Sequence, residues 1–142
     1  MRSKLIILFS FATLLIAFSC QNSDQLKQQM YYANGRDIYI NRCQNCHGAK
    51  GEGLSKLSPP LTDTTFLKMN KHLLACLIKN GSNTTLTVHN VPYDGKMPDN
   101  PDMAHIDIAQ LIVYITNTFG NKQGFYSPEH VAKDLKACNK AE

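Results

Sequence analysis

Cys43-Gln44-Asn45-Cys46-His47 is the stretch on which the reading of this 142-residue chain turns. Two thiols three residues apart share one helical turn. They can add to two vinyl groups along one edge of a porphyrin, and the next residue then aims an imidazole nitrogen at the iron. Three other readings compete. A thioredoxin-type redox pair wants a strand before it, whereas helical signals precede Cys43. A zinc site needs a second Cys/His pair at ligand spacing, and Cys76 and Cys138 stand alone. Chance is the third. The expectation is covalent attachment of one haem c through Cys43 and Cys46, with His47 as an iron ligand.

Outward from the motif the signals are helical. A first helix is expected from Asn34 or Gly35 into Cys43, with Ile38 and Tyr39 on its apolar side. Gly51, Gly53 and Pro59-Pro60 mark an irregular loop. Thr62 or Asp63 can cap a second helix, in which Phe66, Asn70, Leu73, Leu74, Leu77 and Ile78 recur at helical spacing up to Gly81. Residues 82–101 are rich in Asn, Gly and Pro and read as a long functional loop. Ile108, Leu111, Ile112 and Ile115 form one stripe of a third helix, from about Ala104 to Phe119. Ser127-Pro128-Glu129 starts a short last helix that ends near Cys138. No strand, repeat or low-complexity block is expected. The fold class is all-α: three core helices and loops around one haem, with an extra C-terminal helix.

Upstream, Arg2 and Lys4 precede the apolar run Leu5–Phe18, then Ser19 and Cys20. A positive start, a short apolar stretch and small residues at its end predict an export signal over residues 1–19. The run is shorter than the roughly 20 residues that span a bilayer as a helix. Cys20 directly after it resembles the lipidated cysteine of bacterial lipoproteins, although Ala17 and Phe18 depart from that pattern. An ordinary cleavage site, leaving a stray thiol, is the competing reading. Residues 20–33 are polar and Gln-rich and read as a lipidated N-terminus and flexible tether with a mean reach of about 20 Å. The domain is then residues 34–142, with a core at 34–121 and a C-terminal extension at 122–142. An exported, periplasmic location, anchored to a bacterial membrane by lipid, is the expectation.

Over residues 34–120 the chain resembles the class I cytochrome c family. Gly35, Tyr39, Cys43-x-x-Cys46-His47-Gly48, Gly51-x-Gly53, Pro59-Pro60-Leu61 and Met97-Pro98 stand in that family's order and spacing. The segments Val88–Pro98 and Ile115–Asn121 look like a subgroup that accompanies exported dehydrogenases, reductases and oxidases. The resemblance implies His47 and Met97 as axial ligands, with the Pro59 carbonyl holding the other nitrogen of His47. Met103 is the rival for the sixth position, and His89 and His105 are candidates for a bis-His site; Met69 reads as core filler. Gly35 and Tyr39 would let the first helix cross the third near Tyr114. Asn90 stands where a Gly is frequent, and Ala104 where a capping Ser is usual, which passes the capping role to Asp102 or leaves that helix start frayed.

Cys76 and Cys138 read either as a disulfide tying the last helix to the domain or as two buried thiols. The formal charge of +4 falls to +2 once Arg2 and Lys4 are removed. It concentrates in residues 42–96, at seven positive against three negative. The small total does not indicate a nucleic-acid binder, so no nucleic-acid partner is expected, and the positive stretch suits docking to an acidic redox partner. The implied function is a monohaem carrier of single electrons between a dehydrogenase or reductase and a terminal oxidase, not an enzyme, as a monomer or complex subunit. Two alternatives stand beside it: a haem enzyme or small-ligand sensor with a labile sixth ligand, and a fixed subunit of a respiratory complex.

Overall fold

The structure, a computed structural model, describes residues 23–138. The expected export signal, Cys20 and its lipidation lie outside the described residues. Helix α1 spans Ser23–Arg42, and the single turn α2 spans Gln44–His47. Then come α3 (Thr64–Met69), a 3-10 turn (Lys71–Leu73) and α4 (Leu74–Asn80). Strands β1 (Leu86–Val88) and β2 (Val91–Tyr93) precede α5 (His105–Ile115) and α6 (Pro128–Cys138).

Helix α5 is the axis of the core. Every residue from Leu111 to Ile115 is buried, because α1 covers one side of it while α4 and α6 cover others. Gly35 permits the α1 crossing: a Cβ there would overlap the carbonyl of Gln110 and touch Tyr114 Cβ. Tyr39 packs beside it, its ring 5.3 Å from Tyr114 and 5.4 Å from Phe119.

Six expectations are corrected. Residues 23–33, read as a flexible tether, belong to α1. Gln, Leu, Lys and Met are good helix formers. Rings far along the chain hold this half: Tyr31 lies 4.7 Å from Phe125 and Tyr32 lies 5.1 Å from Tyr114. The second helix is not continuous. The Asn70 side chain donates back to the Phe66 carbonyl at 2.9 Å, and the chain breaks into a 3-10 turn there. Met69, read as core filler, is 73% exposed at that break. Strands do occur, as one antiparallel ribbon pairing Leu86 with Tyr93 and Val88 with Val91. Its turn residues His89 and Asn90 have φ of 46° and 62°, as the common two-residue hairpin turn requires. The Nδ1 of His89 meets Asp63 Oδ2 at 2.9 Å.

Helix α5 also ends sooner than the expected Phe119. Thr116 and Thr118 hydroxyls donate to the carbonyls of Ile112 and Tyr114 at 2.6 and 2.7 Å, and Phe119 turns out at φ 56°. Asp102 does not cap its start. The Asp107 carboxylate accepts from the Ala104 N–H instead, at 3.1 Å, while Asp102 pairs with Arg42. After α5, Asn117 Oδ1 accepts from the N–H groups of Gln123 and Gly124 and folds the chain back towards α6. Cys76 on α4 and Cys138 at the end of α6 are joined as a disulfide, with Cα atoms 6.1 Å apart.

Candidate haem site

Arg42 ends α1, and the next residue begins the motif, so a long helix packed against α5 delivers Cys43 to its place. The Cys43 N–H donates to the Tyr39 carbonyl and the His47 N–H to the Cys43 carbonyl, both at 2.9 Å. Cys43, Cys46 and His47 therefore occupy one helical turn. The Tyr39 hydroxyl closes that turn by donating to the Gly48 carbonyl at 2.6 Å. Neither cysteine is in a disulfide, so both sulfurs are available for attachment, and burial pushes an unattached Cys43 thiol up to about 11.

His47 Nδ1 lies 3.1 Å from the Pro59 carbonyl. A carbonyl can only accept, so Nδ1 carries the proton and Nε2 keeps its lone pair. Burial pulls the imidazole below its ordinary pKa more strongly than the Pro59 carbonyl raises it, which favours the neutral, metal-binding form.

His47, Cys43, Cys46 and Pro59 line one apolar cleft together with Met97 and Met103, a space of about 1300 Å³ counting its open mouth. Leu67, Leu74, Ile78 and Leu111 form buried parts of its wall. The main chain of Met97 is fixed by reciprocal 2.9 Å hydrogen bonds with Ser82. Gly81 packs so closely there that a Cβ would overlap the Met97 carbonyl. Met103 is buried under the same wall. His89 and His105 do not line the cleft, and His89 is engaged by Asp63.

This geometry suits a flat, covalently attached group: two adjacent thiols, a histidine with a free nitrogen lone pair, a thioether and apolar walls. The competing readings lose ground. A helix, not a strand, runs into Cys43, and among the described residues no three His, Cys, Asp or Glu side chains gather as a metal cluster.

Two arrangements here have no local sequence signal. One is the Ser82–Met97 bridge. The other is the forked ion pair of Arg42 with Asp102, at 2.9 and 2.6 Å, which ties the start of the motif to the segment after Met97. Asn100 adds to it by donating to the Ile78 carbonyl at 2.9 Å. Arg42 directly precedes the motif, yet nothing in the sequence pairs it with a residue sixty positions on.

Among curated proteins, none matches the chain. A family model described as cytochrome c matches residues 32–119, from the middle of α1 to the turn after α5. With that match spanning more than half of its length, and the attachment motif, its histidine and the cleft inside it, the chain belongs to the cytochrome c family, whose members carry covalently attached haem c.

Proposed function

We propose that this protein carries single electrons between exported redox partners, with one haem c bound through thioethers at Cys43 and Cys46 and its iron held by His47 and Met97. The observation that carries the reading is that these four side chains line one apolar cleft. When bound, the haem supplies an iron that alternates between ferric and ferrous states. The chain's own residues do the rest. Pro59 fixes the tautomer and the plane of His47. The Ser82 bridge holds the Met97 main chain, and the apolar walls keep bulk water from the site. Filling both axial positions leaves no place for a substrate, which favours a carrier over an enzyme.

Around the cleft Lys50, Lys56 and Lys96 are exposed, and Leu54 and Leu57 lie among them at 48% and 56% exposure. Exposed apolar groups beside lysines, with Glu52 and Asp94 also exposed among them, suit brief docking to an acidic dehydrogenase, reductase or oxidase. Among the described residues no helix is long and apolar enough to cross a membrane. Anchoring is assigned to acylation of Cys20 after export, on the sequence pattern alone.

The test is the visible spectrum of the purified holoprotein. His/Met ligation gives a weak far-red sulfur-to-iron band in the oxidised form, and Met97→Ala should abolish it, lower the reduction potential and admit carbon monoxide to the reduced form. Met103→Leu should leave the band in place. A wild-type protein that lacks the band and binds carbon monoxide readily would instead be a ligand sensor or haem enzyme.

A further inference from the structure

Helix α3 has two working faces. Phe66 and Leu67 line the cleft, whereas Thr64, Thr65 and Lys68 face an open hollow on the other side, completed by Lys71, Lys122 and the turn at 120–123. The two linings share no residue. Three lysines meet in this hollow with no carboxylate among its lining residues, and among the described residues none of the three forms an ion pair.

Lys71 is the most constrained. Its Nζ donates to the Gln123 carbonyl at 3.3 Å and lies 5.1 Å from the centre of the Tyr126 ring. Burial alone holds its pKa below the usual lysine range. A partly desolvated cation without a counter-ion gains more from an arriving anion than a fully hydrated one does.

The remaining lining residue of note is Met69, an apolar side chain 73% exposed to water beside the lysines. An exposed apolar group next to lysines also suits a bilayer interface, where the cations meet phosphates and the apolar group enters the boundary of the acyl chains. A redox protein docked here would instead be separated from the haem cleft by the thickness of α3.

We propose that this hollow binds the phosphate headgroups of an anionic lipid surface, leaving the cleft open to redox partners. The proposal is independent of acylation at Cys20, and its test removes that anchor. Exported Cys20→Ser holoprotein is mixed with vesicles of phosphatidylcholine, with and without phosphatidylglycerol, at low salt, and the bound fraction is read by sedimentation.

Binding is expected only with phosphatidylglycerol. Lys68→Gln with Lys122→Gln should weaken it by about fivefold per lysine, roughly 25-fold for the pair. Both positions are exposed, and an unchanged visible spectrum confirms that the variant is folded. Met69→Ser should weaken binding further by a factor that does not depend on salt. Lys50→Gln with Lys56→Gln, at the cleft rim, removes the same charge and should change binding less than twofold.

Equal losses from the two pairs would reduce the effect to net charge and overturn the proposal. Displacement by inorganic phosphate, at an ionic strength where chloride does not displace, would reassign the hollow to a free phosphate. Binding of polyglutamate that falls with the hollow pair and not with the rim pair would make it a protein-docking face, and the lipid reading would fail.

Discussion

The two sides of the cleft are built in different ways. On the attachment side, the contacts that position His47 come from nearby in sequence: Tyr39 reaches Cys43 and Gly48, and Pro59 receives His47 from twelve residues on. On the methionine side, Met97 stands in irregular chain, and its supports come from Ser82, from Gly81, and from Arg42 through Asp102. One side is a local unit that a short motif can specify. The other is a meeting of segments that exists only once the whole domain has folded. The difference teaches that the proposed ligand His47 belongs to local structure and the proposed ligand Met97 to tertiary structure, so damage to stability should reach Met97 before it reaches His47.

The largest effect is expected at the local unit. Replacing Cys43 and Cys46 together by Ala removes both thioether sites, and denaturing gels stained for haem should show essentially no covalent haem. Retained covalent haem would break the assignment of this side of the cleft. Next is Cys76→Ser with Cys138→Ser. It opens a loop of 62 residues and should lower stability in denaturant melts by about 3 kcal/mol. The far-red band at ambient temperature should persist, since the bridge joins α4 and α6 and includes neither His47 nor Met97.

A smaller change is expected from Gly81→Ala. Gly81 has φ of 69°, and a Cβ would press on the Met97 carbonyl. A cost of about 2 kcal/mol follows from the strained backbone and the clash together. Here the far-red band should weaken at a lower denaturant concentration than the Soret band shifts, which sharpens the contrast between the two sides. Simultaneous loss of both signals would break it.

The smallest effect is expected from Asp102→Asn. The side-chain hydrogen bond from Arg42 is the main cause that holds the Asp102 carboxyl below the usual aspartate range. A depressed folded pKa means that the pair stabilises the fold above the unfolded value, and that this is lost as pH falls through the folded one. The wild type should therefore melt slightly above the variant at neutral pH, with the gap closing in acid. Both partners are well exposed, at 43% and 63%, so the gap is small.

The same contrast explains what could be read from sequence. The motif, His47, the Asp63 cap of α3 and the apolar stripe of α5 depend on neighbours within a turn or two, and spacing displays them. The Asp63 carboxylate accepts from the Phe66 N–H at 2.9 Å, as a cap should. Other features depend on distant partners. The first half of α1 looks like a polar linker because Tyr31 and Tyr32 find their rings at Phe125 and Tyr114. The ribbon is hidden by three-residue strands, by Pro92 within one of them, and by a histidine in the turn. Asp102 resembled a cap until Arg42, sixty residues earlier, claimed it. Cys76 and Cys138 allowed two readings because sequence says nothing of the distance between two helices.

The early start of α1 has a mechanical consequence. Twenty helical residues extend about 30 Å and run without interruption into the residue before Cys43. Only positions 21 and 22 separate Cys20 from the first residue of that helix. A chain acylated at Cys20 therefore carries its redox site at the end of a stiff strut. It would sample partners by gliding and swivelling in the plane of the membrane as one stiff piece with its anchor, with little freedom to sweep a volume on a leash.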